Sequence, residues 1–114
     1  MEGLQDDKDL PERIRRALLQ STNPMSYGAL ARDLDVKGPG AIAKVTTALQ
    51  ALMQLDMAAG QPFIAALCEG KLSGGLPAPG FFQTAAQLGR YRGPATGAEA
   101  AAFVSEQRRL LGRA

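Results

Sequence analysis

The 114-residue chain contains no histidine, no tryptophan and a single cysteine, Cys68. Each absence removes a class of chemistry. Without histidine there is no Ser–His–Asp or Cys–His nucleophilic engine. With one cysteine besides, there is no Cys/His zinc cluster and no disulfide framework. Long apolar stretches are also missing: runs such as 63–68 fall far below the roughly 18 residues of a membrane helix. Residues 1–9 are acidic and lack the basic and apolar regions of a signal peptide. One cysteine and no signal imply a reducing, cytoplasmic location, and nothing in the pattern implies a membrane partner.

What remains is an ordinary globular composition, 46% hydrophobic and 21% charged. The length suits one domain with a real core. Residues 1–9 read as a polar, acidic leader and residues 10–114 as the single domain. The net charge of +2 hides an asymmetry. Residues 1–12 hold five carboxylates against Lys8, whereas residues 13–114 hold 12 basic and 6 acidic side chains. A basic body of that kind suits a polyanionic partner.

Periodicity predicts a mainly α fold of about five helices with one small β-hairpin or lone strand. The first helix spans Leu10–Gln20, capped by Asp9, with Pro11 in its first turn and Leu10, Ile14, Ala17 and Leu18 on one face. Ser26 caps a short second helix from Tyr27 to about Leu34. After Asp35-Val36-Lys37-Gly38, Pro39 opens a third helix that runs to about Ala59 and stops at Gly60. Ile42, Val45, Leu49 and Leu52 form its apolar face. Phe63–Cys68 is a short apolar run between turn residues and reads as a strand, with Glu69-Gly70-Lys71 as a hairpin tip. Helices over Phe81–Leu88 and about Gly97–Leu111 follow, the last capped by Thr96 with Glu99 completing a capping box.

Three helices, an apolar strand and a Gly-rich turn form the order of a winged helix-turn-helix. The segment YGALARDLDVKGPGAIAKVTTALQAL, Tyr27 to Leu52, resembles bacterial regulator motifs of the LARDLGV…I..VL.AL kind. Asp35 replaces the turn glycine, and Lys37-Gly38-Pro39-Gly40 lengthens the gap by about one residue. Asp is one of the residues that adopts the left-handed backbone a turn glycine supplies. Met25-Ser26-Tyr27-Gly28-Ala29-Leu30-Ala31 is also similar to the SYGELA opening of the winged-helix domain of alkylguanine-DNA alkyltransferases and alkyltransferase-like proteins. Their Pro-Cys-His-Arg active-site turn is absent, so the resemblance implies fold and DNA association, not alkyl transfer. PFIAALCEGKLSGGLPAPGFF is similar to segments of small winged-helix modules of restriction and other DNA-processing systems.

The resemblance implies double-stranded DNA as partner and the third helix as reader. On its outward face Gly40, Ala43 and Ala51 are small, and Lys44, Thr47, Gln50 and Gln54 are able to reach bases or phosphate. Arg32, Lys37 and Lys71 are candidate flanking phosphate contacts. The alternative is a non-enzymatic protein-interaction module that docks through Leu76–Phe82, with one of Phe81 and Phe82 turned outward. No catalytic residue, cofactor or metal site is expected. The GGLPAPG loop lacks the Gly-Lys-Ser/Thr of a phosphate cradle, and Asp6, Asp7 and Asp9 do not match a calcium loop. Cys68 reads as a small buried hydrophobe.

Overall fold

In the computed structural model, residues 9–113 are described. Of the expected leader only Asp9 is among them; the rest lies outside the described residues. The chain is mainly helical. Its elements are α1 (Leu10–Gln20), β1 (Met25–Ser26), α2 (Tyr27–Asp33), α3 (Ala41–Ala58), a 3-10 turn (Ile64–Leu67), β2 (Cys68–Glu69), α4 (Pro79–Gln87) and α5 (Gly97–Leu110).

α1 forms where the periodicity places it and buries Leu10, Ile14 and Leu18, one side chain per turn. Its N-terminus is not capped by the Asp9 side chain. Asp9 has helical backbone angles, φ −85° and ψ −14°, rather than the extended ones from which a capping side chain reaches back. Ser26 does cap α2: it is extended, and its Oγ accepts the Ala29 amide at 3.0 Å.

α3 begins at Ala41, two residues later than Pro39 suggests. Gly38 and Gly40 are both left-handed, at φ +89° and +83°, so a right-handed helix starts only beyond Gly40. Its inward stripe is Val45, Ala48, Leu49, Leu52, Met53 and Asp56. Ile42, expected on that stripe, is 48% exposed. It lies beside Gly28, where a Cβ would stand 3.9 Å from Ile42 Cδ1; glycine supplies no side chain to cover it.

Phe63–Cys68 is not a strand. Ile64–Leu67 forms a 3-10 turn, and only Cys68–Glu69 is extended, paired in parallel with β1 through Met25–Cys68 and Ser26–Glu69. The β element is thus a two-residue bridge between distant segments. The expected hairpin tip after Glu69 is a loop closed by the Gly70 amide on the Leu76 carbonyl at 2.8 Å. Buried backbone groups must be paired, and side chains pair those of the 3-10 turn without a ladder. Gln107 Oε1 accepts the Phe63 amide at 2.8 Å and Asp56 Oδ2 accepts the Ile64 amide at 2.9 Å. At the exit, Arg108 Nε donates to the Ala66 carbonyl at 2.8 Å. An apolar run buried on every side follows neither helical nor strand periodicity.

The core joins α1, α2, α3, the 3-10 turn, α4 and α5 in one cluster. Phe63 meets Phe81 edge-on at 5.9 Å, and Tyr91 stacks on Phe103 at 4.5 Å. α5 lacks the expected capping box, since Thr96 makes no side-chain cap; left-handed Gly97, φ +88°, turns the chain between Thr96 and the helix.

Candidate nucleic-acid interface

α2 and α3 are joined by a turn whose pivot is Asp35, the one described non-glycine residue at positive φ, +59°. The Val36 amide donates back to the Ala31 carbonyl at 2.9 Å, and Val36 packs against the core. Arg13 on α1 donates to the Leu34 carbonyl, bracing the turn from a third helix. Val45, Leu49 and Leu52 then anchor α3, so its far side faces outward.

On that far side Lys44, Thr47 and Gln54 are exposed. Lys44 and Thr47 line a groove of about 420 Å³ between α3 and the start of α1, with Leu10, Pro11, Ala43, Ala48 and Ala51. Gln50 stands on the other flank. It is half-buried and lines a small cavity of about 20 Å³ with Tyr27, Met53 and Phe81. The expected reading face is therefore split, with Gln50 turned towards α2 and α4.

Of the flanking cations, Arg32 and Lys37 are exposed on or just after α2. Lys37 pairs with Asp35 at 3.3 Å; both side chains are largely in solvent, where such a pair is weak. Lys71 is exposed in the loop after β2. The far end of that loop is tied to α2, because the Ala78 amide donates to Tyr27 Oη at 2.8 Å. Burial pushes the Tyr27 hydroxyl up to about 12; the Ala78 amide opposes this shift and Cys68 adds to it.

The Leu76–Phe82 segment does not form an outward apolar patch. Pro77, Phe81 and Phe82 are all buried, and Leu76 packs against the core. Phe81 and Phe82 meet edge-on at 5.1 Å, so both rings enter the core despite being neighbours in sequence. Cys68 is buried and free. Burial pushes its thiol up to about 12, only partly offset by Arg108.

Two residues not expected from the sequence hold the 3-10 turn: Asp56, 2% exposed, and Gln107, 6% exposed. A signal was present. Asp56 continues the Val45, Leu49, Leu52 spacing, and Gln107 continues Ala100 and Val104. A polar residue in phase with an apolar stripe marks a buried partner for backbone groups.

No helix among the described residues is long and apolar enough to cross a membrane. No protein-family model, curated protein or solved structure matches the chain.

Proposed function

We propose that this chain is a small cytoplasmic DNA-binding protein that engages duplex DNA through the α2–turn–α3 unit, a helix-turn-helix without the hairpin wing among the described residues. The observation that carries the reading is the turn itself: left-handed Asp35 redirects the chain so that α3 is anchored by Val45, Leu49 and Leu52 and exposes Lys44, Thr47 and Gln54. A helix-turn-helix uses its first helix as a brace and its second as a reader in the major groove. Arg32, Lys37 and Lys44 supply phosphate contacts, with Lys71 at the flank. Thr47 and Gln54 supply base contacts, and Gln50 sits at the edge of that face.

The charge on the unit sets the strength. Three cations stand against Asp33 and Asp35, so neutralisation of two or three phosphates gives a log–log salt slope of roughly −2 to −3. Affinity for mixed sequence then falls in the non-specific range of roughly 10⁻⁴ to 10⁻⁶ M at physiological salt. A fluorescence-anisotropy titration of the full chain against mixed duplex at low salt tests this. Salt-sensitive binding that Lys44→Ala weakens is expected. Absence of binding at tens of micromolar protein overturns the reading.

A further inference from the structure

A second group of arginines lies away from α3. The connection between α1 and β1 forms, with the end of α5 and the residues after it, a cleft of about 360 Å³ lined by Thr22, Asn23, Pro24, Leu67, Arg108 and Arg113. Both arginines are half-buried residues, and neither has a carboxylate within ion-pair distance among the described residues. Glu69 acts on Arg108 only as a more distant charge.

Their partners are backbone carbonyls. Arg108 donates from Nε to Ala66 at 2.8 Å, and from Nη2 to Cys68 at 3.3 Å and Gly75 at 2.9 Å. Arg113 donates from Nη2 to Leu18 at 3.1 Å, Leu19 at 3.0 Å and Ser21 at 2.9 Å. A guanidinium carries five N–H donors. Arg108 therefore keeps its Nη1 pair uncommitted, and Arg113 keeps Nε and Nη1. Thr22 and Asn23, both exposed, add a hydroxyl and an amide at the mouth.

Partial burial disfavours the charged form of Arg108, and a counter-anion in the cleft relieves that cost. Forked guanidinium donors match the oxygens of phosphate better than those of a spherical ion. The cleft is larger than a bare phosphate requires, and Pro24 and Leu67 give it an apolar wall.

We propose that this cleft binds a phosphate group, as phosphate itself or as a phosphate ester whose organic substituent rests on Pro24 and Leu67. The site is separate from the α3 face and does not depend on it. The phosphate comes either from a small molecule or from a polynucleotide backbone.

The test is an amide-resolved NMR titration of the full chain with inorganic phosphate against chloride at matched ionic strength. Saturable shifts centred on Thr22 and Asn23 are expected. Thr22→Glu places a carboxylate at the exposed mouth without removing either arginine from its structural bonds. It should leave the spectrum folded and weaken phosphate at least about tenfold, or roughly 1.4 kcal/mol. Arg113→Lys keeps the charge, loses the fork and should weaken phosphate by a smaller factor. Non-saturating shifts, shifts spread over the surface, or unchanged affinity in a folded Thr22→Glu protein overturn the proposal. Phenyl phosphate and a short DNA duplex separate the sources. Tighter binding of phenyl phosphate at the same amides indicates a small phosphomonoester. Competition by the duplex for these amides indicates backbone phosphate. A duplex that fails to bind α3 but leaves the phosphate shifts intact removes the DNA reading and not this one.

Discussion

Asp56 and Arg15 form the one ion pair among the described residues in which a partner is almost wholly buried: Arg15 Nη2 lies 2.9 Å from Asp56 Oδ1, with the aspartate side chain 3% exposed. The other carboxylate oxygen holds the Ile64 amide. One carboxylate thus ties α1 to α3 and to the start of the 3-10 turn.

Removing that carboxylate leaves a guanidinium and a buried amide without their acceptor. Asp56→Ala should cost about 3–5 kcal/mol, enough to lower the midpoint of thermal unfolding by more than about 10 °C. Arg15→Ala should cost a similar amount, because it leaves the almost wholly buried Asp56 carboxylate without its counter-charge. Calorimetry of the two variants checks both losses. Small losses in both would show that the carboxylate is not the tie.

The Asp35 backbone gives a prediction of opposite sign. The left-handed region costs an L-residue roughly 1–2 kcal/mol relative to the right-handed one, and Asp escapes part of this. Asp35→Gly should be neutral or stabilise by up to about 1 kcal/mol, whereas Asp35→Val should destabilise by about 1–2 kcal/mol. The lost pair with Lys37 contributes little because both groups are exposed. Urea midpoints with an unchanged m-value are the readout.

Two acids, buried Cys68 and half-buried Tyr27, set the alkaline limit. Cys68 is raised from 9.0 to about 12 and Tyr27 from 10.0 to about 12, chiefly by burial. For an acid whose folded pKa is raised, the stabilisation is complete below the unfolded value and is lost as pH climbs towards the folded one. Stability should therefore fall between about pH 9 and pH 12, as the unfolded chain releases protons that the folded chain retains. Cys68→Ala should flatten the lower part of that decline and cost a little packing. Circular dichroism against pH follows it, and a thiol reagent should label native Cys68 slowly.

On the DNA reading, Thr47→Ala and Gln54→Ala should change which sequences bind, each by about 1–3 kcal/mol of discrimination. Gln50→Ala should do so less, since Gln50 is half-buried beside Tyr27 and Phe81. Lys44→Ala should weaken all sequences alike and reduce the salt slope by about 1. A selection from random duplex followed by titration separates the two behaviours.

Helix positions were legible because single residues mark them. Ser26 caps α2, and the spacing of Leu10, Ile14 and Leu18 defines α1. The 3-10 turn was not legible. Its partners, Gln107 and Asp56, are 44 and 8 residues away in sequence, and the helical spacing that marks them as buried does not say which backbone groups they hold. Lys44, Thr47 and Gln54 are exposed on α3, as the spacing of its apolar stripe predicts. Gln50 and Ile42 differ because their surroundings depend on which side chains α2 and α4 present. Leu76–Phe82 failed as a docking surface for the same reason: adjacent phenylalanines both turn inward once α4 begins at Pro79.

The clasp of Arg113 on the end of α1 has a consequence for the order of events at the ribosome. Its bonds to the Leu18, Leu19 and Ser21 carbonyls span 92 to 95 residues. At about 5–20 residues per second of synthesis, the last turn of α1 waits roughly 5 to 20 s for the arginine that closes it. The nascent chain passes that interval with its first helix unclasped. Arg113 is therefore a late seal on a helix that is held until then by its packing and by the Arg13 and Arg15 bonds to the turn and to α3.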